Sequence, residues 1–235
     1  MNIRTERVEI PVSDGTTMSG HLVVPEGDEQ RPGLLILQEI FGVNDHIKDV
    51  AERYAREGYV TFAPDLFHRQ VPGHIGSYTD LPASIQLAMK YDAQQSEADI
   101  RAAADFLGKH PAVNGRMGCL GFCMGGRLSF VANGVVKLDA AISFYGSIAP
   151  DKLTYAPTLS GPMMLIWAGK DHFIKHEAQQ QTVDKLRELG KPYVNVEFSA
   201  QNHGFFCDAR SDYDAGAARQ AWALTTAFLA THLKG

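Results

Sequence analysis

Six consecutive residues, Gly121-Phe122-Cys123-Met124-Gly125-Gly126, constrain this chain more tightly than any other stretch. They follow the apolar run Met117-Gly118-Cys119-Leu120, which reads as a buried strand. They precede Leu128-Ser129-Phe130-Val131-Ala132, which reads as the start of a buried helix. A strand that turns straight into a helix around a nucleophile needs glycine two positions before it and two after, because a side chain at either place would strike the neighbouring backbone. The pattern is the G-x-S-x-G nucleophile elbow with cysteine in the serine position. A bare G-x-C-x-G is a weak signal, since buried thiols are usually inert packing. Cys119, facing inward on the strand, is expected to be of that inert kind, and the standing of Cys123 depends on the rest of the chain.

Around the elbow, apolar strand-length runs alternate with helical patterns. Thr5 to Ile10 and Met18 to Val24 read as strands joined by an Asp14-Gly15 turn. Leu34 to Leu37, Tyr59 to Ala63, Arg116 to Phe122, Ala140 to Phe144, Met163 to Ala168 and Tyr193 to Phe198 follow as strands. Asn44 or Asp45 caps a helix with Ile47, Val50, Tyr54 and Ala55 on one face, and Gly58 stops it. A short helix is predicted over Ala83 to Tyr91. Ser96, with Asp99 three residues on, is expected to cap a longer one from about Glu97 to Lys109. Glu177 to Leu189 and Asp214 to Leu233 complete the helices, and a core-packing stripe is expected at Ala218, Trp222, Thr225 and Leu229. The irregular stretch Leu66 to Leu81, long for a compact domain, has the character of a pocket wall or lid. Together these elements predict an α/β fold, a mostly parallel central sheet with helices on both faces.

In such sheets chemistry sits at the carboxyl ends of strands, so an elbow's partners should follow later strands in the order nucleophile, acid, base. After Met163 to Ala168 comes Gly169-Lys170-Asp171-His172, and after the strand ending at Phe198 comes Ser199-Ala200-Gln201-Asn202-His203-Gly204. The chain order is therefore Cys123, Asp171, His203. Taken singly, Asp171 could cap a turn and His203 could be one of nine histidines on a surface loop. His21, His110, His176 and His232 lie in strand, turn or helix contexts away from any strand's carboxyl end. His46, His68, His74 and His172 are closer, but none follows the last strand. The order and context of the three residues together carry the assignment.

Composition narrows the alternatives. The chain has 235 residues, 45% hydrophobic and 21% charged, with net charge −5, so nothing favours nucleic acid. The runs are too short to span a membrane, and the charged N-terminus lacks an apolar signal-peptide core. Three cysteines in no framework spacing suit a reducing cytosol, so a cytoplasmic protein is expected. Cys119 and Cys123 are four apart, as are His203 and Cys207, yet the spacing matches no common zinc site. No metal and no cofactor are expected. A redox-sensing or non-catalytic thiol protein is the alternative from another class, and it leaves Asp171 and His203 unexplained.

Gln38-Glu39-Ile40-Phe41-Gly42-Val43-Asn44, Pro64-Asp65-Leu66, Gly121-Phe122-Cys123-Met124-Gly125-Gly126, Gly169-Lys170-Asp171-His172-Phe173 and His203-Gly204-Phe205 together resemble the dienelactone hydrolase (carboxymethylenebutenolidase) family. The similarity runs from about residue 5 to 230. It implies an α/β-hydrolase fold without a large cap domain, one domain over residues 1–235, and a Cys-His-Asp triad that opens a strained unsaturated lactone to a keto acid such as maleylacetate. On that resemblance Cys123 attacks as thiolate, and His203, oriented by Asp171, activates the water that breaks the thioester. The backbone N–H groups of Met124 and Ile40 form the oxyanion hole. Glu39 is similar to a glutamate that pairs with the resting thiol, although by itself it reads as a solvated loop carboxylate.

A dienelactone carries a carboxylate, so a cation is expected in the site. Arg210 is the candidate, in a region where the family places an arginine, and Tyr145, just after a strand, is a candidate pocket residue. The family's second arginine, from the long loop before the elbow, has no counterpart, because Gln70 to Ile100 holds only Lys90 as a cation. That departure leaves a promiscuous esterase with another substrate as an alternative. Other thiol elbows, such as glutamine-amidotransferase-like or deglycase-like enzymes, place histidine or glutamate differently. The expected partner is a small ester or lactone, with the chain a monomer or weak homodimer.

Overall fold

The computed structural model describes all 235 residues, Met1 to Gly235. Its eight strands lie in the order β1-β2-β4-β3-β5-β6-β7-β8. The chain divides into two compact units, Met1–Gly118 and Cys119–Gly235.

In the first unit, β1 (Ile3–Pro11) and β2 (Thr17–Pro25) pair antiparallel about a turn in which Gly15 takes φ 86°. β4 (Val60–Pro64) pairs antiparallel with β2 and parallel with β3 (Arg31–Leu37). The continuous apolar runs of β3 and β4 mark strands covered on both faces, and Leu34 to Leu37 are fully buried. α1 (Asp45–Arg56) starts where Asn44 accepts the Ile47 N–H (3.2 Å) and ends at Gly58, whose φ of 91° is the left-handed stop. No helix is long and apolar enough to cross a membrane.

The stretch between β4 and β5 (Val113–Phe122) corrects one expectation. α2 spans Leu81–Lys90, and α3 spans Ala93–Gly108, opening four residues earlier than predicted. Asp92 caps α3 by accepting the Gln95 N–H (2.8 Å), while Ser96 lies inside the helix and donates to the Ala93 carbonyl. Asp99 is no part of a cap. Fully buried, it takes both terminal nitrogens of Arg69 at 2.8 Å and the Tyr91 hydroxyl at 3.0 Å. Arg69 also donates to Asp14 in the β1–β2 turn (2.6 Å). Asp65 holds the same stretch from its other side, accepting the Phe67 N–H (3.1 Å) and the Gly73 N–H (2.7 Å).

In the second unit α4 (Met124–Val135) follows Cys123 directly. β6 (Ala140–Phe144), β7 (Met163–Ala168) and β8 (Tyr193–Phe198) are parallel, with α5 (His176–Glu188) between β7 and β8 and α6 (Ala215–Leu233) closing the chain. β6 and β7 are buried throughout. On α6, Ala218, Thr225 and Leu229 are buried and Trp222 is half-buried. Phe122 at the end of β5, Phe144 and Tyr145 at the end of β6, and Phe205 in the loop after β8 are fully buried, each adding about 1.5–3 kcal/mol of burial. Phe122 stacks on Phe144 with centroids 4.7 Å apart. This aromatic floor lies beneath the loops that carry the candidate chemistry.

Candidate active site

The elbow forms as its glycines require. Cys123 sits at φ 55° and ψ −114°, a left-handed backbone that a β-substituted residue adopts only where its surroundings hold it. Its amide donates to the Phe144 carbonyl (3.0 Å). A Cβ on Gly121 would collide with the Gly125 carbonyl, so the strand and helix approach too closely for any larger residue. Met124 opens α4, and its N–H belongs to a first turn whose amides have no intrahelical acceptor. Cys119, on the preceding strand, is fully buried with its sulfur 3.6 Å from the Ser129 carbonyl, and burial pushes its pKa up to about 12. Cys123 alone of the three cysteines is not fully enclosed.

Asp171 and His203 meet as their chain order predicts. His203 Nδ1–H donates to Asp171 Oδ2 at 2.8 Å; a carboxylate acceptor requires the proton on Nδ1. Both side chains are enclosed, the imidazole 8% and the carboxylate 1% exposed. Burial works against a charged imidazole, but hydrogen bonds to Asp171 and to the Cys123 sulfur outweigh it and raise the His203 pKa to about 10. The imidazole therefore links sulfur and carboxylate. Asp171 Oδ1 also accepts the N–H groups of Phe173 (2.8 Å) and Ile174 (3.1 Å), which fixes the loop that carries it.

Tyr145, fully buried at φ 37°, lies beneath the imidazole with ring centroids 4.8 Å apart, and its amide donates to the Ile166 carbonyl (2.7 Å). The Arg210 guanidinium rests against Gly204, the residue after His203; a Cβ there would come within 2.5 Å of its Cζ and Nε. Gly204 at φ 86° thus allows both the turn and the arginine's approach. In the first unit Glu39 is fully buried just past β3, so it is not a solvated loop carboxylate, and Ile40 beside it is half-buried. The sequence reading used Phe173 only as part of a family motif; its ring lies 5.1 Å from that of His203. It also missed Arg69 and its partners, whose wide separation along the chain leaves no spacing to detect.

A mostly parallel sheet with an elbow cysteine, a carboxylate and an imidazole gathered after its strands defines an α/β-hydrolase. The chain belongs to the dienelactone hydrolase family, which it matches over residues 18–233, and it is accordingly a hydrolase. It is 33% identical to a Synechocystis sp. protein provisionally named carboxymethylenebutenolidase, over 100% of this chain and 99% of the relative. It is 30% identical to the carboxymethylenebutenolidase of Pseudomonas putida, over 92% of each. A crystal structure from Klebsiella pneumoniae, provisionally called a dienelactone hydrolase, superposes with a TM-score of 0.90 at 27% identity, covering 98% of this chain and 99% of that one.

Proposed function

We propose that this hydrolase cleaves carboxylic esters or lactones through a Cys123 thioester, with His203 and Asp171 as its acid–base pair. The observation that carries the proposal is the hydrogen-bonded line from sulfur to imidazole to carboxylate at the elbow. The Cys123 thiol passes its proton to the His203 imidazole as Sγ attacks the carbonyl carbon, and the carbonyl electron pair moves onto oxygen, where the N–H groups of Met124 and Ile40 receive it. Collapse of the intermediate expels the alkoxide, which takes the proton from the His203 imidazolium. The neutral imidazole then removes a proton from water as it attacks the thioester, and the thiolate leaves. Tyr145 forms the floor that holds the imidazole in plane. The buried Glu39 disfavours the thiolate between turnovers, keeping the resting thiol protonated and less easily oxidised.

Arg210 is the carboxylate-binding cation in this scheme, and the arginine count bears on the substrate. The remaining arginine of the long loop, Arg69, is committed to Asp99 and Asp14. With Arg210 alone, discrimination in favour of anionic lactones should be weaker than in a dienelactone specialist, and neutral esters should be accepted comparatively well. The enzyme would act in the cytoplasm without metal or cofactor, as a monomer or weak homodimer.

A hydrolysis screen across lactones and aryl esters tests both parts. Cys123→Ala should abolish turnover, while Cys119→Ala should alter stability alone; full activity in Cys123→Ala would refute the mechanism. A charge-assisted arginine contact contributes roughly 1.5–3 kcal/mol, or about 10- to 150-fold. Arg210→Ala should lower kcat/KM by about that factor on an anionic lactone and leave p-nitrophenyl acetate nearly unaffected. Equal losses on both would make Arg210 structural.

A further inference from the structure

Arg7 on β1 stands directly opposite His21 on β2, so the two side chains rise from the same face of the sheet. With Lys48 of α1, Asp65 and His74 they line a cleft of about 340 Å³. That volume falls in the range of small-ligand sites, and the cleft lies wholly within the first unit. None of these residues is among the candidate catalytic groups. Val43 and Ile75 add an apolar part to the wall.

The lining carries two fixed positive charges, Arg7 and Lys48. Lys48 Nζ is 3.8 Å from Asp45, whose carboxylate is fully open to water, a pairing of small energy that leaves the ammonium able to turn inward. The one carboxylate of the lining, Asp65, already accepts the Phe67 and Gly73 N–H groups, one on each oxygen. Burial, opposed by Glu52 and aided by Lys48, holds the His21 pKa below its ordinary value, so at pH 7 the ring offers an N–H and no charge. The Nε2 atoms of His21 and His74 are both buried without a hydrogen-bond partner, polar groups that the chain by itself leaves unsatisfied. Imidazoles also bind metals, but a guanidinium and an ammonium in the same cleft repel a cation and attract an anion.

We propose that this cleft binds a small organic phosphate monoester. Arg7 and Lys48 grip the phosphate, the His21 and His74 rings turn their Nε2–H groups to its oxygens, and the organic part packs on Val43 and Ile75. A phosphate monoester carries a charge of about −1.5 to −2 at pH 7 and three acceptor oxygens, which matches two cations and two further donors. A monocarboxylate leaves one cation unanswered. The bound group also braces the loop after β3, because the Gly76 N–H donates to the Phe41 carbonyl (3.0 Å) and a Cβ on Gly42 would collide with the His74 carbonyl. Occupancy of the cleft does not depend on the Cys123 mechanism.

The test is isothermal titration calorimetry of the whole chain at low ionic strength with phenyl phosphate, inorganic phosphate and benzoate. Phenyl phosphate should bind one per chain, more tightly than inorganic phosphate and about 10-fold or more above benzoate. Arg7→Gln and Lys48→Gln should each weaken phenyl phosphate by about 10-fold, the effect of one charge-assisted contact at an open cleft. Both positions are at least partly exposed, so the fold should survive either change. Arg219→Gln removes an equal charge on exposed α6 and should leave binding unchanged. Amide NMR shifts on binding should centre on Val43, Lys48, His74 and Ile75. No phosphate binding, equal affinity for benzoate, or full affinity in Arg7→Gln and Lys48→Gln would overturn the proposal. So would a loss as large in Arg219→Gln, which marks simple attraction to net charge, or a loss in Arg210→Ala alone, which places the anion beside Gly204 instead.

Discussion

His203 shows how far one residue's chemistry depends on its neighbours. Its folded-state pKa of about 10 lies above the ordinary 6.5, so the charged imidazole stabilises the fold in full below pH 6.5. That contribution is lost as pH rises through about 10. Burial opposes the charge, and part of what overcomes burial comes from Cys123. In Cys123→Ala the His203 titration midpoint, followed by NMR of the imidazole, should therefore fall; an unchanged midpoint would mean the sulfur does not bear on the ring. Glu39 offers a second check. If it restrains the resting thiol, Glu39→Gln should label faster with iodoacetamide at Cys123 near neutral pH, because a like charge is gone. Equal or slower labelling would deny Glu39 that part. The meeting of Asp171 and His203 was legible from chain order, because an elbow restricts where its partners can stand. The burial of Glu39 was not legible, since Gln38-Glu39 reads as the polar end of a strand. Only tertiary structure reveals the cover over it.

At the scale of elements, the strands were easiest to read and the segment before β5 hardest. Strands covered on both faces, such as β3 and β7, announce themselves as unbroken apolar runs. The start of α3 was misplaced because Ser96 and Asp99 imitate a capping box in sequence. In the fold Asp92 is the cap and Asp99 is drawn inward by Arg69. That pair also fixes much of the stretch predicted to be a lid, as Arg69 and Asp65 tie residues 65–73 to α3, the β1–β2 turn and each other. Asp99 is fully buried and the Arg69 side chain is 11% exposed, so removing one partner strands a buried charge. Arg69→Ala should cost about 3–5 kcal/mol in denaturant unfolding, and amide exchange should quicken across residues 66–73. A loss under about 1 kcal/mol, the range of exposed pairs, would mean the ion pair is solvated in solution.

For the whole molecule, the alternation of strands and helices predicted an α/β sheet, and the order of five motifs pointed to the family that the chain matches over residues 18–233. The surroundings of His203 were less legible, because the approach of Phe173 to its ring and of Arg210 to Gly204 is created by folding alone. The central claim is that Cys123 carries the acyl group during turnover. Intact-protein mass spectrometry of His203→Asn, quenched after mixing with p-nitrophenyl acetate, tests it most directly, since deacylation lacks its base there while the activated aryl ester can still acylate the sulfur. The thioester mechanism predicts one acetyl group per chain, located at Cys123 by peptide mapping and absent when Cys123→Ala is added. Continued p-nitrophenyl acetate hydrolysis by Cys123→Ala at the wild-type rate, or an acetyl group stably carried elsewhere, would contradict it.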